Sequence, residues 1–258
     1  MKKYEFTGET LGWYGRTLRR IRALKDFGDV KAGDIGGWIE KEENLSQEGD
    51  CWVYEEAKIW DEAEIWGEAE IYGEAEIWDE AKIYGEAKIY GEAEIYGEAE
   101  IWGEAKIWDE AKISGEAKIS GEAEISGKAK IWGEAKISGK AEIWDEAKIY
   151  GEAEISGKAE IWGETKIYGK AEIWGEAKIW GKAKIKSTSD YITISPIGSR
   201  NDVTTAFKTA RGVRVKCGCF YGSIEEFESK VRETHGDNQY AKEYLALAEL
   251  LKIRFKEK

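Results

Sequence analysis

Histidine and cysteine, the side chains best suited to base, nucleophile and transition-metal chemistry near neutral pH, are scarce in this sequence. There is one histidine, His235, and there are three cysteines, Cys51, Cys217 and Cys219. A single imidazole can take a proton near neutral pH, but it excludes metal centres built on several histidines. Cys217 and Cys219 stand two residues apart, so on one strand they point to the same face. That spacing allows thiol chemistry or half of a zinc site. A tetrahedral zinc takes about four ligands, and only His235 and Cys51 remain to complete it. Buried small side chains are the simpler reading of the pair, because free cysteine packs as a small hydrophobe. Ser199, Arg200, Asn201 and Asp202 follow a strand-like run and offer a polar ligand loop; they suit equally a plain turn leading into an N-cap. No catalytic residue, metal ligand or cofactor is expected from this set.

The 258 residues carry 39 Lys and Arg against 52 Asp and Glu, a formal net charge of −13. Direct nucleic-acid binding through a basic surface is therefore disfavoured. No run of roughly 18 apolar residues offers a membrane span. The opening MKKYEFTGET has no apolar stretch behind its basic pair, so no signal peptide is expected. An odd number of cysteines suits a reducing cytoplasm better than a disulfide framework.

The elements that must position these groups are set by a repeat. From Ile59 to Ile185 an isoleucine recurs every six residues, 22 in all. Each hexad reads Ala-Glu/Lys-Ile-aromatic/Ser-Gly/Asp-Glu/Lys; Thr165 is the one lapse at the alanine position, and Val53 looks like an earlier member. In Ala-x-Ile-x read as a short strand, Ala63 and Ile65 face one side, Glu64 and Trp66 the other. Gly or Asp then makes a corner, since both tolerate left-handed backbone. Three hexads close a triangular coil of 18 residues, a parallel β-helix of some seven coils. A helix is disfavoured: each Gly or Asp would cost about 1 kcal/mol or a little less, and isoleucines six apart leave no coherent stripe. The expected fold is thus an all-β solenoid, and the Ala-x-Ile spacing resembles the left-handed hexapeptide class.

Three segments are expected. Residues 1–50 form an N-terminal β cap, with strands at Lys3–Thr7 and Thr17–Phe27, because an open solenoid end leaves strand edges unpaired. Residues 51–186 form the β-helix. Residues 187–258 form a small α+β module, with strands at Tyr191–Ile197 and Val213–Phe220 and helices at Ile224–Thr234 and Gln239–Arg254. Ser223 and Glu226 make a capping box, and the second helix is expected to bury Tyr240, Tyr244, Leu247 and Leu251.

Residues 26–54, with Asp29-Val30-Lys31-Ala32-Gly33, Gly36-Gly37-Trp38, Asn44-Leu45-Ser46-Gln47 and Cys51-Trp52, resemble the YdcK-type bacterial and phage hexapeptide β-solenoid family. The resemblance implies a hexapeptide solenoid and a phage or prophage origin. Family members carry acyltransferase labels by analogy with hexapeptide enzymes, which use a histidine base on a coil. This chain departs in its near-perfect regularity, in Glu or Lys where Asn or Asp is common, and in having no histidine before residue 235.

Charge and aromatic patterning give the remaining candidates. Between Glu55 and Ile125 there are 22 acids against 6 lysines; between Ser126 and Lys186, 10 acids against 12 lysines. The corner acids Glu56, Glu62, Glu68, Glu74, Glu80, Glu86, Glu92, Glu98, Glu104, Glu110, Glu116 and Glu122 should stack as like charges about 4.8 Å apart. They form either a solubilising surface or a polyanion that attracts a basic partner. Of the 22 positions after isoleucine, 16 are Trp or Tyr, which predicts outward aromatic ladders. On one face three serines interrupt the ladder, giving Trp102, Ser120, Ser138, Ser156 and Trp174 as a candidate contact face.

The functional expectation is a non-enzymatic interaction scaffold with a protein partner, basic if the acidic half is the contact, or a second copy of the chain. The alternatives are an acidic inhibitor that imitates nucleic acid, and a hexapeptide acyltransferase-like enzyme.

Overall fold

A computed structural model describes residues 2–256. The hexads fold as 23 strands of two or three residues, from Trp52–Val53 to Lys184–Ile185. Each strand pairs in parallel with the strands 18 residues before and after it, so Ile95 lies between Ile77 and Ile113. Three parallel sheets result, around about eight coils. The interior is built only from the inward pair of each hexad: its alanines and isoleucines are buried. The hydroxyl of Thr165, the exception, donates to the Trp162 carbonyl at 2.9 Å, so the one polar intruder is satisfied.

Corners explain why the repeat needs Gly or Asp. Corner residues have positive φ, +72° at Gly121 and +62° at Asp109. At three of the four Asp corners the carboxylate also accepts the backbone N–H of the corner one coil on: Asp79 from Gly97 at 3.2 Å, Asp109 from Gly127 at 3.1 Å, Asp145 from Gly163 at 3.2 Å. Asp109→Ala keeps the left-handed corner but loses both the carboxylate and its bond, and should cost about 1–2 kcal/mol in urea unfolding. Asp109→Gly should cost less. Equal losses for the two variants would contradict this account of the corner.

Ring stacking follows the same 18-residue step. Trp60–Trp78, Trp78–Tyr96 and Trp162–Trp180 stack at 5.0, 4.5 and 5.1 Å. The single gap at Ser126 is bridged, with Trp108 turning edge-on to Trp144 at 6.2 Å.

The N-terminal strands are longer than expected in one case and shorter in the other. β1 runs Tyr4–Trp13, β2 Arg16–Ala23 and β3 Ile35–Ile39. They pair antiparallel, and β3 then joins the first coil in parallel through Ile39 and Ile59. On another face the Ser46 N–H bonds the Ile65 carbonyl at 2.9 Å, covering the first strand edge. Lys3 is fully buried beneath the cap; its ammonium donates to the Cys51 carbonyl at 2.9 Å and lies 3.2 Å from the Cys51 sulfur.

The C-terminal module is a four-stranded antiparallel sheet followed by two helices. β4 is Tyr191–Ile197, β5 Asp202–Thr209, β6 Gly212–Cys217 and β7 Phe220–Gly222; α1 is Ile224–His235 and α2 Gln239–Arg254. The expected strand over Val213–Phe220 is in fact two strands, because the chain reverses at Gly218 with φ +53°. β5 has no counterpart in the sequence reading. The module packs on the last coil: Thr205 Oγ1 accepts the Lys178 N–H at 3.0 Å, and the buried Lys216 ammonium lies 3.7 Å over the Trp180 ring that ends one ladder. Burial pushes the Lys216 ammonium below the usual lysine range, with Lys178 adding to the effect. No helix among the described residues is long and apolar enough to cross a membrane.

Candidate active site

The two hairpin turns at one end of this sheet, Gly198–Asn201 and Gly218–Cys219, lie side by side because Thr204 on β5 pairs with Cys217 on β6. Arg200 reaches across, with its guanidinium 3.1 Å from where a Cβ on Gly218 would stand. α1 passes over the same end. It begins on the Ser223–Glu226 capping box, with Ser223 Oγ accepting the Glu226 N–H at 3.2 Å and Glu226 accepting the Ser223 N–H at 2.6 Å. It stops at Gly236, φ +59°, whose N–H bonds the Arg232 carbonyl. His235 is therefore the last helical residue, on the rim of the space between helix and turns. α2 brings Tyr244 into that space, its ring 5.7 Å from that of His235.

These elements border a half-open cavity of about 580 Å³. Arg200, Cys217, Cys219, Lys230, His235 and Tyr244 line it, and Phe220, Phe227 and Val231 form its apolar wall. Phe227 sits between Phe220 and Tyr244 at ring distances of 5.4 and 5.7 Å. The back of the cavity depends on Gly198. A Cβ there would fall 1.9 Å from Cζ of the Tyr244 ring, and φ is +70°. Only glycine lets the buried ring lie against this turn.

No Asp or Glu lines the cavity, although the chain as a whole carries −13. Lys230 is paired with Glu233 at 3.0 Å. Arg200 has no ion pair and the His235 ring no hydrogen-bond partner among the described residues. Burial pushes the Tyr244 hydroxyl above the usual tyrosine range, and the neighbouring Cys217 thiol adds to the rise. Cys217, Cys219 and His235 do not form a cluster able to hold a metal ion among the described residues.

Several sequence expectations are redistributed by this geometry. The two cysteines are not buried filler: Cys217 is half-buried and Cys219 exposed, because Cys217 ends a strand and Cys219 lies in the turn after it, so they do not share a strand face. The polar loop 199–202 is a hairpin turn leading into a strand, not an N-cap. Ser199 and Arg200 line the cavity, whereas Asn201 takes the positive-φ corner and Asp202 begins β5. Tyr240 points outward, 44% exposed, and α2 buries Ala241, Tyr244, Leu247, Ala248 and Leu251.

The solenoid candidates lie elsewhere. The corner acids are exposed from Glu56 to Glu122, in columns 18 residues apart. Two columns end in ion pairs, Lys128–Glu110 at 3.3 Å and Lys140–Glu122 at 2.6 Å. On the serine face Tyr84–Trp102 closes one stack at 5.8 Å; Ser120, Ser138 and Ser156 are half-buried, and Trp174 is 57% exposed. The Trp174 N–H donates to the Tyr191 hydroxyl at 3.2 Å, so the module touches this face at its last strand. None of these residues borders the cavity.

No family model matches the chain. A stretch of 42 residues is 55% identical to the Escherichia coli (strain K12) protein described as "Uncharacterized acetyltransferase YdcK". The match covers 16% of this chain and 13% of that protein, so the chain shares only a short segment with the curated relative. It nevertheless corrects the expectation of a non-enzymatic scaffold, because the relative carries an enzyme's description. No coil carries a histidine; His235 lines the C-terminal cavity together with Cys217, Cys219 and Arg200.

Proposed function

We propose that this chain is an acyltransferase-like hexapeptide solenoid protein whose chemistry takes place in the C-terminal cavity. The observation that carries the reading is the placement of the chain's one histidine on that cavity, with its ring unengaged. The partial identity to an acetyltransferase supports it from a separate direction.

In this reading His235 takes the proton from an acceptor hydroxyl or amine as that group attacks the carbonyl carbon of an acyl thioester. The tetrahedral intermediate collapses, the carbon–sulfur bond breaks, and the departing thiolate receives the proton back from the imidazolium. Each proton and electron pair is thereby returned. A positioned base of this kind contributes roughly 10²–10⁴-fold. The solenoid serves as a rigid rod on which the module is mounted. Its winding is proposed to be left-handed, on the Ala-x-Ile spacing, and an experimental electron-density map would read the hand directly.

The test uses the full chain with labelled acetyl-coenzyme A and a bacterial small-molecule extract. Labelled product should form together with free thiol in equal amount. No label transfer above the protein-free control would overturn the proposal.

A further inference from the structure

We infer that the cavity is built for an amphipathic carboxylate, and that the acyl acceptor belongs to this class: an apolar body with a carboxylate at one end and a hydroxyl or amine to be acylated. The inference rests on the acyl-transfer reading for the acceptor's role, but the binding claim stands on the cavity itself.

Three features converge. The first is charge. In a chain with 13 more acids than bases, the lining holds Arg200, Lys230 and His235 and no carboxylate. Because Lys230 is engaged by Glu233, Arg200 is the permanent cation left for a ligand. A planar guanidinium binds a carboxylate through two parallel N–H bonds. The second is shape. About 580 Å³ lies within the range of small-molecule sites, far more than a bare inorganic anion fills. The third is the wall. Phe220, Phe227 and Val231 line the same cavity as Arg200, so a ligand whose charge meets Arg200 has rings against which to rest its body. Tyr244 and His235, with ring centroids 5.7 Å apart, complete the lining.

The experiment is isothermal titration calorimetry of the full chain with 3-phenylpropionate, its neutral counterpart 3-phenylpropan-1-ol, and acetate. Phenylpropionate should saturate one site, with the alcohol and acetate each weaker by about tenfold or more, since either the charged bond or the apolar body is missing. Arg200→Gln, at an exposed turn position, should weaken phenylpropionate about tenfold and leave the alcohol unchanged. Thermal melting of that variant checks that its fold is kept. Absence of saturable binding, equal binding of acid and alcohol, equal binding of acetate, or an Arg200→Gln variant that still prefers the acid would each overturn the inference. Selective binding without acetyl transfer sinks the acyl reading and leaves the site. Transfer only to acceptors lacking a carboxylate does the reverse.

Discussion

Ile113→Asn is expected to unfold the middle of the solenoid at temperatures where the wild type is intact. Ile113 is fully buried and pairs in register with Ile95 and Ile131 on adjacent coils. The substitution removes an apolar side chain whose burial contributes about 1.5–3 kcal/mol. It also places an unpaired amide among alanines and isoleucines, at a further cost of about 1–3 kcal/mol. The sum is about 4 kcal/mol, large for any single change. In a repeat array such damage spreads to nearest neighbours, so amide exchange should accelerate first in the coils around residues 95–131. An unchanged melting curve, or faster exchange confined to the termini, would contradict the inward assignment of the isoleucines.

The second large effect belongs to the C-terminal module. Gly198→Ala should displace Tyr244, because the new methyl group would lie 1.9 Å from the ring and the backbone is at φ +70°. Neither backbone nor ring can yield cheaply, and a loss of about 2–3 kcal/mol is expected. Exchange of the α2 amides in Gln239–Arg254 should rise while the solenoid amides keep their protection, and the cavity should lose its back wall. If the α2 amides stay as slow as in the wild type, the ring does not hold the helix to the turn.

The solenoid was legible in the sequence because every hexad repeats the same instruction. Twenty-two isoleucines state one burial pattern, and a local misreading at Thr165 changes nothing. The C-terminal module offers no such redundancy. A strand through Val213–Phe220 looked continuous because Gly218 is a single residue between apolar neighbours, and only the folded chain shows that it turns. Tyr240 was assigned to the buried face of α2 by helical spacing. The helix does bury Tyr244, Leu247 and Leu251 as that spacing predicts, and it docks as well through Ala241 and Ala248, small side chains that hydrophobicity alone does not single out. The cavity was hidden for a similar reason. Arg200, Cys217, His235 and Tyr244 are brought together by two hairpin turns and a helix end. One signal was available: the Ser223 box and Gly236 fix the length of α1, which places His235 at a helix terminus facing the start of α2.

The most direct measurement of the account is the rate of acetyl transfer from acetyl-coenzyme A by His235→Gln compared with wild type. His235 is at a helix end and only half-buried, so the variant should keep its melting temperature. Transfer should fall by about 100-fold or more, as removal of a general base requires. A His235→Gln variant that transfers acetyl groups as fast as the wild type would place the chemistry outside the cavity and contradict the account.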